Sequence, residues 1–186
     1  MQQPKGKLIA IGGAEDKGTD SEKHELLRLS NLNFIELGIL QRIVQESGGV
    51  NARIEVITTA SMIPYEVGEN YMDAFGKLGC TDVDVMHIRN RGDAMNEEYI
   101  ERIRTCDTVM MSGGNQLRLS STFGGTEFLK IILERYHNEE NFVVAGTSAG
   151  AMAMSNTMIY EGNATNAHLK GEVNITPGPG FMDDVR

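Results

Sequence analysis

Apolar positions along this chain switch between two spacings. Short runs in which nearly every residue is apolar or β-branched alternate with longer stretches whose apolar residues recur every three or four positions. "KLIAI" at 7–11 opens the series as a buried strand, ended by Gly12-Gly13. "RIEVITTAS" (53–61), "DVDVMHI" (82–88), "DTVMMSGG" (107–114) and "NFVVAGT" (141–147) repeat the strand signal. Helices are predicted between them near 34–46, 65–78, 96–104, 126–137 and 149–154. The first is specified in most detail. Asn33 is its N-cap, Glu36 completes a capping box, and Phe34, Leu37, Leu40, Ile43 and Val44 form its apolar face before Gly48-Gly49 stops it. Strands apolar on both faces and separated by helices imply a mostly parallel sheet covered on both sides: a doubly wound α/β fold. The 186 residues contain no repeat, low-complexity tract or linker, so 1–186 reads as one domain around a single core.

In such a sheet, ligands bind outside the carboxyl ends of the strands. Three of the strands end in distinctive loops, "GGAEDKG", "SGGNQ" and "GTSAGA". The first does not fit a nucleotide. It lacks G-x-G-x-x-G, Thr19 stands where a P-loop needs lysine, and Glu15 and Asp16 would repel a pyrophosphate. The third fits better. Gly146-Thr147-Ser148-Ala149-Gly150 satisfies G-x-S-x-G between a strand and a helix, the context of a nucleophile elbow. Ser148 is therefore the candidate nucleophile, weighed against a plain Gly-rich turn in which it is merely small. "SGGNQLRL" supplies the complement, because Gly113-Gly114 lets backbone amides turn inward. An N–H of Gly114 or Asn115 can then join that of Ala149 as an oxyanion hole. The competing reading of that loop is a Gly-Gly turn with Asn115 capping the next helix.

Charge and cysteine content narrow the setting. A formal charge of −9 and a pI near 4.9 argue against nucleic acid or an anionic membrane as partner. No stretch approaches membrane-spanning length and no signal peptide opens the chain, so a cytoplasmic location is expected. Cys80 and Cys106, near strand beginnings, read as buried reduced thiols. No CxxC, HExxH or Cys/His cluster occurs, and neither a metal nor another cofactor is expected.

"IAIGGAEDK", "ITTAS", "MSGGNQLRL" and "AGTSAGAMAMS" together resemble the cyanophycinases, in the serine-peptidase family that also holds aspartyl dipeptidase. The resemblance runs in order from about residue 6 to residue 180. It implies a flavodoxin-like three-layer sandwich and a homodimer. The implied activity is hydrolysis of cyanophycin, an aspartate backbone with β-linked arginines, to β-Asp-Arg dipeptides. It implies Ser148 as nucleophile, Gly114, Asn115 and Ala149 as the oxyanion hole, and Gln116 as a substrate contact. Aspartyl or isoaspartyl dipeptide hydrolysis is the alternative activity. The resemblance also implies a catalytic histidine in an "Asp-Gln-His-Phe" stretch, which does not occur before Arg186. The chain thus reads as cut short of the family's C-terminal part, with hydrolysis by 1–186 alone expected to be feeble or absent, or its role reduced to peptide binding. Of His24, His87, His137 and His168, the last alone is a candidate substitute base. Glu15 and Asp16 are expected to give the pocket an acidic rim suited to a cationic ligand.

Overall fold

The computed structural model describes residues 3–13, 38–162 and 173–182. Asn33, Phe34, Glu36 and Leu37 of the first helix, and with them its capping box, lie outside these residues; so do Glu15, Asp16, His24 and His168. Five strands form one parallel sheet: β1 (Lys7–Ile11), β2 (Ile54–Ile57), β3 (Val83–Met86), β4 (Thr108–Met111) and β5 (Val143–Thr147). Their order across the sheet is β1-β5-β4-β2-β3. The run β3-β2-β4-β5 winds like the first four places of a flavodoxin-type sheet, and the chain's own first strand takes the fifth place. The predicted α/β class and parallel sheet are therefore the observed ones.

β2, β3 and β4 are shorter than their apolar runs, because "TTAS", "HI" and "SGG" leave the ladder as loops at its carboxyl edge. Alternation along the strands sorts the core into two layers. Ile57, Val109, Met111 and Val144 face α3 (Glu97–Thr105) and α5 (Glu127–Asn138), where they meet Ile103, Phe128 and Ile132. Ile54, Val56, Met110, Val143 and Ala145 face the other way. They pack on Leu40, Ile43 and Val44 of α1, described over 38–46, and on Phe75 of α2 (Pro64–Lys77). The chain thus leaves β2 over one face and β4 over the other, and the crevice between those two strand ends is a topological switch point.

Buried polar groups follow from the same layering. Glu55, 1% exposed, points into the α3 layer, where the Arg102 guanidinium pairs with it through Nε and Nη2. Arg135 donates to the carbonyls of Ile103 (2.7 Å) and Cys106 (2.6 Å), satisfying the carboxyl end of α3. Both thiols are free and buried. Burial pushes the Cys106 thiol up to about 12, against the opposing pull of Arg135. Since the thiolate is the reactive form, native Cys106 should not react with a thiol reagent at pH 8 within the time that fully exposes it in urea. Rapid native labelling at Cys106 would contradict this.

One α-helix and two strands lie beyond the predicted set. α4 (Gln116–Phe123) follows Asn115, whose side chain accepts from the Leu117 N–H, so the capping reading of Asn115 is correct. β6 (Thr157–Gly162) and β7 (Val173–Pro177) form an antiparallel pair that no predicted strand covers. A terminal proline and a bulge between Ile159 and Glu161 blur the strand pattern there. The helix predicted at 149–154 is the single turn α6 (Ala149–Met152). No helix among the described residues is long and apolar enough to cross a membrane.

Candidate active site

Ser148 stands between the last residue of β5 and the first of α6, at φ 49° and ψ −112°. It is the only non-glycine with positive φ among the described residues. Three features hold it there. Its N–H donates to the Ile11 carbonyl at the end of β1 (3.0 Å), and its carbonyl accepts from Met152 (2.9 Å). The strand and helix of the turn touch at Gly146 and Gly150: a Cβ built on Gly146 would sit 2.6 Å from the Gly150 carbonyl carbon. The Ser148 hydroxyl makes no capping bond to α6. The G-x-S-x-G spacing thus gives the sharp turn that the motif requires.

Such a backbone costs an L-residue about 1–3 kcal/mol, whereas glycine adopts it freely. Ser148→Gly should therefore be more stable than Ser148→Ala, by about 1 kcal/mol after the chain-entropy cost of glycine. Urea denaturation of the two variants measures the difference, and equal midpoints would remove the strain argument.

The loops on either side of β5 close on the serine. From β1, a Cβ on Gly13 would fall 2.7 Å from Ser148 Oγ, so only glycine leaves the hydroxyl clear. From β4, a Cβ on Gly113 would sit 3.3 Å from Ser148 Cβ. Sequence reasoning named Gly12-Gly13 as the end of the first strand but gave Gly13 no part in the site. The signal was available, since a Gly-Gly pair ends β1 as another ends β4.

The remaining predicted residues do not all converge. Gly114 (φ 138°) is pressed against the Ala60 carbonyl, and the Asn115 N–H donates to that same oxygen (2.9 Å). The Asn115 amide is thus engaged away from Ser148, which leaves Gly114 as the candidate donor in this loop. Ala149 is buried at the start of α6. The Gln116 side-chain amide donates to the Ile159 carbonyl of β6 (3.0 Å), tying the hairpin to α4. A cavity of about 420 Å³ opens beside the serine on its β1 side, lined by Ala10, Ile11, Gly12, Gly13, Ala151 and Met152. Gly114, Asn115, Gln116 and Ala149 are not among its lining residues.

Neither described histidine is near the serine. His87 follows β3, three strands from β5, and its ring packs 4.4 Å from that of Tyr65. His137 lies in the last turn of α5, with Nδ1 2.8 Å from the Leu133 carbonyl oxygen. Among the described residues no group of three or more His, Cys, Asp or Glu could hold a metal ion.

The profile of Peptidase family S51 matches residues 27–172. The chain belongs to this peptidase family. It is 35% identical over 181 residues to a cyanophycinase of Synechococcus elongatus, covering 97% of this chain and 51% of that protein. A cyanophycinase of Geminocystis herdmanii is 31% identical over 184 residues, covering 99% of this chain and 61% of its own. The chain therefore spans between half and two thirds of the length of these curated relatives. In fold it is similar to the crystal structure of a peptidase from an acI-B1 Actinobacterium, with a TM-score of 0.66 at 22% identity. That similarity covers 96% of this chain and 65% of the other.

Proposed function

We propose that this S51 peptidase chain carries the nucleophile and oxyanion-binding half of a cyanophycinase-like serine peptidase. The observation that carries the reading is the positive-φ conformation of Ser148, whose hydroxyl is uncommitted to α6, at the turn between β5 and α6. In the reaction, Ser148 Oγ attacks the carbonyl carbon of the scissile amide while a general base takes its proton. The N–H groups of Ala149 and Gly114 receive the developing oxyanion. Collapse of the tetrahedral intermediate expels the amine, which takes the proton from the base, and water then hydrolyses the ester. The substrate is cyanophycin and the product β-Asp-Arg, with Gln116 at the substrate's edge. The same reading takes residues 1–186 as one α/β domain, acting in the cytoplasm as part of a homodimer.

The base is the open role. A histidine of the "Asp-Gln-His-Phe" type, supplied outside residues 1–186, fills it in this reading, with His168 as the substitute. The positions of His87 and His137 favour a second reading, in which 1–186 alone binds peptide without cleaving it. Incubation with cyanophycin, with chromatography for β-Asp-Arg, separates the two. Residues 1–186 should release little or none, and a chain extended through the histidine stretch should release it readily. Release of free aspartyl residues from isoaspartyl dipeptides, with cyanophycin untouched, would replace the substrate by that of the dipeptidase alternative.

A further inference from the structure

The carboxyl edge of the sheet holds a second group of polar side chains, two strand places from Ser148. After β2 the chain turns at Ser61, and the Ser61 carbonyl accepts from two guanidinium groups at once. Arg89, after β3, donates at 3.0 Å and Arg118, on α4, at 3.1 Å. The two donor nitrogens therefore lie within about 6 Å of each other, a separation at which like charges repel appreciably. Arg118 Nη2 also donates to Met62 Sδ (2.7 Å), but a neutral carbonyl and a thioether do not balance two cations. Among the described residues no carboxylate oxygen lies within 4.0 Å of either guanidinium. Asp93 comes nearest in sequence, but its carboxylate accepts from the backbone N–H groups of Arg89 and Asn90. In a chain of net charge −9, two arginines converge on one point with no anion among the described residues.

Their place in the fold says what the anion belongs to. They flank the end of β2, Arg89 from the β3 side and Arg118 from the β4 side, so that Arg118 borders the crevice between the ends of β2 and β4, the switch point at which open α/β sheets take their ligands. Among the described residues, the two buried side-chain polar atoms without a hydrogen-bond partner, Thr58 Oγ1 and His87 Nδ1, follow β2 and its neighbour β3 at this same edge. Contact runs from this crevice to the nucleophile. Gly113 packs against Ser148, and Gly114 packs against Ala60, next to Ser61. Two inter-strand spacings, about 10 Å, separate the ends of β5 and β2, which is the reach of two to three extended residues.

We infer that Arg89 and Arg118 form a carboxylate clamp that anchors a free carboxyl group of the peptide whose scissile bond lies at Ser148. The inference rests on the peptidase reading and names the group recognised. In a β-linked aspartyl-arginine unit the arginine nitrogen is acylated and its own carboxyl remains free, so every such unit carries one anionic handle. The planar forks of two arginines match that group through paired charge-assisted hydrogen bonds. Arg118 lies within "GGNQLRL", so the segment that supplies the Gly114 donor also supplies half of the clamp.

The test compares binding of β-aspartyl-arginine with that of its arginine-amide derivative, by calorimetry on residues 1–186. The parent chain should bind the acid about 10- to 100-fold more tightly than the amide, the range expected for hydrogen bonds to a charged group. In Arg89→Gln and in Arg118→Gln the acid-to-amide ratio should fall to within about twofold of one. A purely bracing role would lower thermal stability and leave that ratio unchanged, so the ratio discriminates even where a variant is destabilised. No preference for the acid in the parent, or a preference that survives both substitutions, overturns the clamp. Labelling of Ser148 by a fluorophosphonate is followed in parallel, in the same chain and in one extended through the histidine stretch. Labelling without acid preference sinks the clamp and leaves the peptidase reading. Acid preference with no labelling in either chain sinks that reading and leaves a carboxylate-binding crevice.

Discussion

Replacing Ser148 by alanine should lower hydrolysis by at least ~10⁴-fold in a chain extended through the histidine stretch, as loss of an attacking hydroxyl does in a nucleophile–base unit. The expectation rests on the elbow. Ser148 adopts a backbone that costs energy, on a turn whose neighbours at Gly13, Gly146 and Gly150 admit no side chain without a clash. A serine that merely filled space would not need that conformation, because a glycine there would relieve it. Substrate affinity should change little, since the hydroxyl is one atom among many contacts. The check is steady-state release of β-Asp-Arg, with binding of a non-cleaved peptide measured separately. Activity retained within tenfold would mean that another group attacks, and the proposed mechanism would fall.

The sequence was most legible where one residue type answers one physical demand. Continuous apolar runs and period-3.6 patterns marked the sheet and most helices, because burial of a strand on both faces leaves few alternatives to apolar residues. G-x-S-x-G was legible for the same reason: only glycine fits where β5 meets α6. Asn115 shows where such reading stops. A Gly-Gly-Asn run is compatible with an inward-facing amide and also with a helix cap, and both need the same residues. The choice depends on Ala60, more than fifty positions earlier, whose carbonyl takes the Asn115 N–H. Arg89 and Arg118 escaped for a similar reason. Each is an ordinary surface residue until the sheet order brings β2, β3 and β4 side by side. The β6–β7 pair was hidden by its bulge and its terminal proline, which break the alternation that marks a strand.

Gly114→Ala carries the other large expected effect, and it falls on stability and activity together. At φ 138° an L-residue is strained by about 1–3 kcal/mol, and the new Cβ would be driven into the Ala60 carbonyl and to 2.9 Å from the Ser61 nitrogen. Both neighbours are backbone in a packed loop, so overpacking adds about 1–3 kcal/mol. The sum should be about 2–6 kcal/mol in urea denaturation, a large share of the stability of a domain this size. Gly12→Ala is the control, because Gly12 has no positive φ and a Cβ there meets nothing within 4 Å. It should shift stability by less than about 0.5 kcal/mol. If the loop survives the substitution by rotating away from Ala60, the Gly114 N–H turns with it. Loss of one oxyanion donor then lowers kcat by ~10²–10³ in the extended chain. The Ser61 carbonyl moves too, so a displaced loop should also weaken the acid preference read through Arg89 and Arg118. A Gly114→Ala protein as stable as the parent, with turnover and acid preference intact, would show that this loop tolerates a side chain. Neither the oxyanion role of Gly114 nor its contact with the arginine crevice would then stand.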